Sequence, residues 1–482
     1  MTLPLVLRHP LILLCCAVST GCGSTAGDRG ATVLYASGAD LQSINPLLTV
    51  HPMARQVQRY ILLTTLARYD SALVPEPYLA RSWQWSADRR SLTFIIRTTL
   101  RWHDGVATTA RDVAFTLDAA RSPDTGYPRL NDLRDIASVV ASSDSTLVVT
   151  FGSPPHAFPD VLTDLAIIPR HLLDTVPLAR LRQAAWNEHP VGNGPFRFVA
   201  HEPNRRWVFA ANPDFPAELG GRPRLDRFIV VVVDEPTTKL AALTSGELDV
   251  AGIQPAHASF VRRNPALAVM SYPLNFTYAL VFNTRRPPFD DIRLRRAASA
   301  AVDRQEIVDG YLYGFGTPAF GPVPPDVPGY LAPSPPSDAS NPARHSVAFE
   351  MLTVGSGEAA LEQMIQARLS TVRLDARIRQ LELGAFLDRA YGPRHDFAAA
   401  VIGVPGDAGL GYLAPLLSLA GMAPPADAVA AQRLFQDSMP AAFLYHARGL
   451  QGISRRLHGV RMDLRGEMPT VHDWWVTPSN DR

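Results

Sequence analysis

The chain has three cysteines in 482 residues, and all of them (Cys15, Cys16 and Cys22) lie within the first 22 positions. The rest of the chain carries no thiol, which excludes an internal disulfide, a Cys-x-x-Cys redox pair and a zinc ribbon there. An excess of charge is also lacking. Against 46 basic residues stand 45 acidic ones, a formal net charge of +1, so nothing draws in nucleic acid or an anionic membrane surface. Lysine is represented by Lys239 alone. The positive charge is otherwise arginine, the better carboxylate and phosphate clamp, but coding bias is the better account of that preference here. The 13 histidines show no H-x-x-x-H spacing, so no zinc or other metal site is expected. Gly355-Ser356-Gly357 lacks the spacing of a nucleophile elbow, and "GDAGLG" (406–411) lacks the Lys and Ser/Thr of a phosphate loop. With no nucleophile–base pair, metal motif or cofactor motif, the chain reads as a non-enzyme without a cofactor.

Long hydrophobic runs are missing too. The most apolar stretch, Leu11 to Val18, is about half of what spans a bilayer. It follows Arg8 and precedes small residues, which is the pattern of a signal peptide over 1–22. "STGC" (19–22) resembles a lipobox and makes Cys22 the lipidation site. Ser19 stands where that pattern prefers Leu, and cleavage after Ala17-Val18-Ser19 is the competing reading. Residues 23–30 are a small, polar tether. The expected location is extracytoplasmic, in a periplasm or at a cell surface, with a lipid anchor as the contact with a membrane.

Beyond the tether, 46% hydrophobic and 19% charged residues are ordinary for a globular chain, and the length calls for two or three domains. "ATVLYAS" (31–37), "SLTFIIR", "STLVVTF", "RFIVVVVDE" (227–235) and "YALVFNT" (278–284) read as strands, the fourth as fully buried. "MARQVQRYILLTTLARYD" repeats apolar residues at helical spacing through Val57, Ile61, Leu62 and Leu66. "TTKLAALTSGELDVAG" is a helix stopped at Gly246. "DDIRLRRAASAAVDRQEIVDG" is two helices broken near Val302-Asp303. A Pro-rich stretch at 316–342 is expected to be extended and on the surface. Strands alternate with helices along the whole length, an α/β pattern.

In "RWHDGVATTARDVAFTLDAA" (101–120), His103-Asp104-Gly105 has the composition of a turn. Thr109 and Asp112 form a capping-box pattern at the start of a helix. A catalytic His needs an orienting partner and a nucleophile, and nothing nearby supplies the latter. The pair reads as architecture.

The same stretch, extended to 73–118, resembles the signature region of family 5 extracellular solute-binding proteins, the receptors of dipeptide, oligopeptide and nickel ABC importers. "VGNGPFRF" (191–198), "ANPDF", "TTKLAALTSGELDV", "FNTRRPPFDDIRLRRAASAAVDRQEIV" (282–308), the segment 316–325 and "DSMPAAFLYH" (437–446) follow in the family's order. The resemblance implies a two-lobed, periplasmic-binding-protein-like α/β fold with an extra subdomain in the first lobe. Residues 31–53, 190–250 and 459–482 would form lobe I, 54–189 its extra subdomain and 251–458 lobe II, with crossovers near 249–251 and 458–459. The implied function is a monomeric receptor that captures peptide-like or other small solutes between its lobes and delivers them to an ABC permease. The alternative is a degenerate binding-fold lipoprotein, an interaction or sensory protein without transport.

In peptide-binding members an Asp in a G-x-x-G-D segment pairs with the ligand's amino group, which the resemblance places at Asp407 of "GVPGD". The competing reading is a solvated loop acid. Ser37 and Gly38 at the end of the first strand, with Asn275 and Phe276, are expected to face the cleft, although Phe276 reads as core equally well. Three departures bear on the solute. No Arg precedes "EQMIQARL", Val404-Pro405 stands where peptide binders favour Trp, and the stretch before Met439-Pro440 is short. Asn193 is expected to cap its own loop, and Trp474-Trp475 to pack the tail on lobe I.

Overall fold

The computed structural model describes residues 30–155, 157–333, 345–425 and 427–477. The expected signal peptide, Cys22 and the tether up to residue 29 lie outside the described residues.

One mixed sheet of 11 strands runs through both halves of the molecule. Its order is Leu374–Leu381, Val347–Val354, Ala399–Pro405, Leu267–Phe282, Ala441–Ser454, Val250–Gly252, Thr32–Ser37, Arg227–Val232, Arg206–Ala211 and Phe196–Glu202. Gly316–Pro318 pairs alongside Ala441–Ser454. Two neighbours in this order, Leu267–Phe282 and Ala441–Ser454, are 16 and 14 residues long and antiparallel. At about 3.3 Å per residue the first reaches roughly 50 Å, far enough to belong to two cores. Near its start it lies against the strand residues that pair with Val250–Gly252, and near its end it pairs with Ala399–Pro405.

The passage between halves is thus made within these two strands. Asp249–Ala251, the expected crossover, stays in the first half. Val250 pairs in parallel with Tyr35, and the buried Asp249 carboxylate accepts from Leu34 N at 2.9 Å and from Arg456 Nε and Nη2 at 2.7 Å. His458-Gly459 sits there too, with Gly459 close against the Asp473 carbonyl.

Within 54–189 a separate antiparallel sheet has the order Ala80–Trp85, Ser91–Ile96, Thr146–Phe151, Ile136–Ala141. The helix Ala110–Arg121 packs against it, started by the Thr109/Asp112 capping box. The first half and this subdomain share one large core beside a smaller cluster around Leu243 and Val261, and the second half has two clusters, one built around Phe386 and Phe435 and one around Phe282 and Phe289.

The sequence pattern and the structure differ at four places. The strand Arg227–Val232 alternates buried and open residues instead of being covered on both faces, because it carries a strand on each side but packs the large core on one face only. The helix from Pro52 runs to Val57 and continues as a wider turn over Gln58–Leu62, then stops. Leu66 lies outside it, at a bend just before the strand Ala67–Tyr69, with its carbonyl bonded to Ala80 N, because the Thr64-Thr65 pair favours extension over helix. "YALVFNT" is only the end of a much longer strand. The Pro-rich stretch is not a surface segment at its start: Ala319, Val323 and Val327 are buried in the Phe386/Phe435 cluster. Trp474 is fully buried against Phe228, its Nε1 bonded to Thr470 Oγ1, and Trp475 stacks on His458.

Candidate functional site

The helix Pro52–Val57 and the turn that continues it put Arg55 and Arg59 one turn apart, on one face. The "VGNGP" segment closes the end of this element. Asn193 N and Gly194 N both donate to the Leu62 carbonyl, at 3.1 and 2.8 Å, and a Cβ on Gly192 would lie 2.0 Å from that oxygen. Asn193 does not cap its own loop. Its Oδ1 accepts from Thr64 N at 2.9 Å, and the side chain is fully buried. His103 fastens the same segment: Nδ1 accepts from Gly192 N at 3.2 Å and Nε2 faces the Gly194 carbonyl at 3.0 Å. Burial pushes its pKa down to about 4, so the ring is neutral at pH 7. Asp104 turns the other way, to His171 Nε2 at 2.7 Å. The His-Asp turn is scaffolding for the helix that carries the arginines.

That helix forms one wall of a cavity of about 530 Å³ between the two halves. The opposite wall is Leu274–Phe276 and Pro405–Ala408. Leu274–Phe276 enters the cavity because the long-strand pairing slips there: Pro273 faces Arg448, and the next paired residue, Thr277, faces His446. Such a bulge re-aims side chains without ending the sheet. Asn275 then holds the 405–408 loop, its carbonyl accepting from Gly406 N at 2.7 Å and its Nδ2 donating to the Asp407 carbonyl at 3.0 Å. The Asp407 carboxylate is oriented by Gly411 N at 2.9 Å and Tyr412 N at 3.1 Å. A carboxylate has about four lone-pair sites, so two such bonds leave acceptor capacity toward the cavity.

Gly406 is required by contact: a Cβ there would lie 2.0 Å from Asn275 Oδ1. Gly406→Ala is expected to cost about 1–3 kcal/mol through overpacking, read as a lower Tm. Adding Asn275→Ala should recover part of that loss, a non-additivity that marks direct contact.

Of the residues expected at the site, Asn275, Phe276 and Asp407 line this cavity. Phe276 is half-buried and packs on Tyr278, centroids 5.5 Å apart. Ser37 and Gly38 line an adjoining cavity of about 350 Å³ that shares Pro52, Gln56, Leu274 and Gly466 with the first. The Ser37 hydroxyl donates to the Ala39 carbonyl at 2.6 Å, so its first partner is its own turn.

Apart from Asp407, the charged groups were not singled out from sequence. Four arginines (Arg55, Arg59, Arg129, Arg465) and four aspartates (Asp132, Asp160, Asp164, Asp407) line the main cavity. Arg55, Arg59 and Arg129 all pair with the Asp164 carboxylate. These guanidinium groups outweigh its burial and hold Asp164 well below the usual carboxylate range. Asp160 accepts from the Tyr69 hydroxyl and, across the cleft, from Gly409 N at 3.1 Å. Burial, together with the charge of Asp407, raises its pKa. The i,i+4 spacing of Arg55/Arg59 and of Asp160/Asp164 was the available signal. Among the described residues no group of His, Cys, Asp and Glu could hold a metal ion, and no helix is long and apolar enough to cross a membrane.

The model of bacterial extracellular solute-binding proteins, family 5, middle region, matches residues 74–423. The chain belongs to this family. Di/tripeptide-binding protein 2 of Pseudomonas aeruginosa is 27% identical over 436 residues, 81% of this chain and 79% of that protein. An ABC transporter peptide-binding protein of Brucella ovis is 32% identical over 245 residues, 50% of this chain and 45% of that protein, so the match spans less than half of the relative's length. Among solved structures, the substrate-binding protein CtaP of Listeria monocytogenes superposes with a TM-score of 0.80 at 19% identity, covering 93% of this chain and 100% of that one. The oligopeptide-binding protein AppA of Bacillus subtilis, solved with a nonapeptide, gives 0.73 at 20% identity over 92% and 99%. The fold of this family 5 protein is therefore the two-lobed α/β architecture of periplasmic binding proteins, and the family and its neighbours are binding proteins rather than enzymes.

Proposed function

We propose that this family 5 protein is the extracytoplasmic receptor of an ABC importer, closing two lobes on a short peptide-like solute and delivering it to a membrane permease. One observation carries the reading: the interlobe cavity is lined by equal numbers of Arg and Asp, with Asp407 held on a fixed loop in its wall. A buried ammonium group needs a carboxylate partner, and Asp407 supplies one from the second lobe. Residues 31–53, 190–250 and 459–482 act as lobe I with 54–189 as its extra subdomain, the chain between the two long strands acts as lobe II, and Leu267–Phe282 and Ala441–Ser454 act as the flexing connection. Bending two long paired strands lets the lobes separate while their ladder stays intact, and a solute favours closure by contacts absent from the open form. Ser37, Gly38, Asn275 and Phe276 shape the cleft around the solute. Catalysis has no part in this role. The protein works as a monomer held to a membrane through lipid on Cys22.

Residues 23–482 incubated with pooled di- to tripeptides test the reading, with sugars and metal chelates as controls. A solute present at 1,000 times its Kd adds about 4 kcal/mol, seen as a rise in Tm and as an added mass in native spectra. No shift and no added mass from any peptide pool sinks the peptide reading and favours an interaction protein without transport.

A further inference from the structure

Three guanidinium groups converge on Asp164, a carboxylate whose side chain is 10% exposed. One of them is enough to neutralise it. The other acid that forms an ion pair with the cluster, Asp132, meets Arg129 alone, and its side chain is 40% exposed and so largely screened. Counting both acids, the cluster of Arg55, Arg59 and Arg129 carries one positive charge more than its protein partners. Its donors are also only partly used. Among the described residues, Arg55 donates to Asp164, Arg59 to Asp164 and to the Arg55 carbonyl at 3.3 Å, and Arg129 to Asp164 and to Asp132 at 2.6 Å. Each guanidinium has about five N–H groups in a planar fork. All three side chains border the main cavity at 16–33% exposure. A surplus cation with free donors in a partly desolvated wall is stabilised by an anion that enters the cavity.

The same cavity contains Asp160 and Asp407, which repel a multiply charged anion but attract an ammonium. Arg465 is already paired with Asp463, so the lining offers the arginine cluster on one side and Asp160 and Asp407 on the other. A solute with one anionic and one cationic end fits it, and neither a phosphate dianion nor a neutral sugar does.

We infer that Arg55, Arg59 and Arg129 are the carboxylate clamp of the cleft, and that the solutes selected are short zwitterions, amino-acid-like or peptidic, with a free carboxyl end on the first lobe. The inference rests on the peptide-receptor reading and adds to it which end is read and by which residues. Because the ammonium partner Asp407 lies on the second lobe, a solute that has both ends ties the lobes together, and one lacking either end does not.

The test uses residues 23–482 and three matched pools of di- and tripeptides: free, C-amidated and N-acetylated. Affinities follow by calorimetry for the component that binds most tightly. Amidation is expected to weaken binding roughly 10- to 100-fold, the range of a charge-assisted pair. Arg129→Gln and, as a second variant, Arg55→Gln should each weaken the free acid while narrowing the acid-to-amide ratio, a readout that a purely structural arginine would leave unchanged. If free and amidated peptides bind equally and N-acetylation still weakens them, the clamp is wrong and the receptor reading stands. If no form binds to folded protein, the receptor reading falls and the clamp with it.

Discussion

Asp407→Asn is expected to weaken binding of a short peptide with a free amino terminus about 100-fold, equivalent to about 2.7 kcal/mol. The substitution is nearly isosteric and leaves one oxygen to accept from Gly411 or Tyr412, whose amides now orient the carboxylate. It removes the negative charge that an incoming ammonium would meet at the cavity wall. The matched N-acetyl peptide carries no such charge and should bind the wild type and the variant alike. Titration of both peptides against both proteins separates the two roles of Asp407. Equal losses for the free and acetylated peptide would mean that the residue only shapes its loop, the solvated-acid reading. A loss confined to the free peptide would assign the ammonium contact.

The second large effect concerns stability. Asp164→Ala is expected to cost about 3–5 kcal/mol, as removal of one partner of a buried ion pair does. It leaves Arg55, Arg59 and Arg129 close together without their shared counter-charge. Roughly 5–10 °C of Tm should be lost. Asp132→Ala is the control: that side chain is 40% exposed, and its loss should cost less than about 1 kcal/mol. The pH dependence has a definite sign. The folded protein keeps Asp164 ionised well below the ordinary range, whereas the unfolded chain protonates it near pH 3.9. Below that value the unfolded state binds the extra proton, so the stabilisation present above it is lost as pH falls. Chemical unfolding from pH 5 downward should show the wild type losing stability faster than Asp164→Ala. Parallel curves would show that Asp164 is not the group whose protonation matters.

Local pattern made much of this readable. The Thr109/Asp112 capping box, the strand from Thr32, the helix break at Val302-Asp303 and the turn character of His103-Asp104 each depend on residues within a few positions of one another. The order of strands and helices, with the motifs that resemble family 5, was enough for the architecture. The charged lining of the cleft was not readable in the same way. Arg55, Arg129 and Asp164 come from three separate segments, and each alone looks like a solvated surface charge.

Periodicity settled the α/β class, because hydrophobic spacing, caps and glycine turns act over a few residues, while the family and the loop that presents Asp407 came from the motifs that resemble family 5. The tertiary structure alone decided where the chain passes between lobes, that Ala319, Val323 and Val327 of the Pro-rich stretch are buried and which arginines share a carboxylate. Those outcomes depend on contacts between residues 100 or more positions apart, such as Arg55 with Asp164 and Asn275 with Asp407, and on a slip in strand pairing at Leu274–Phe276 that no local preference encodes.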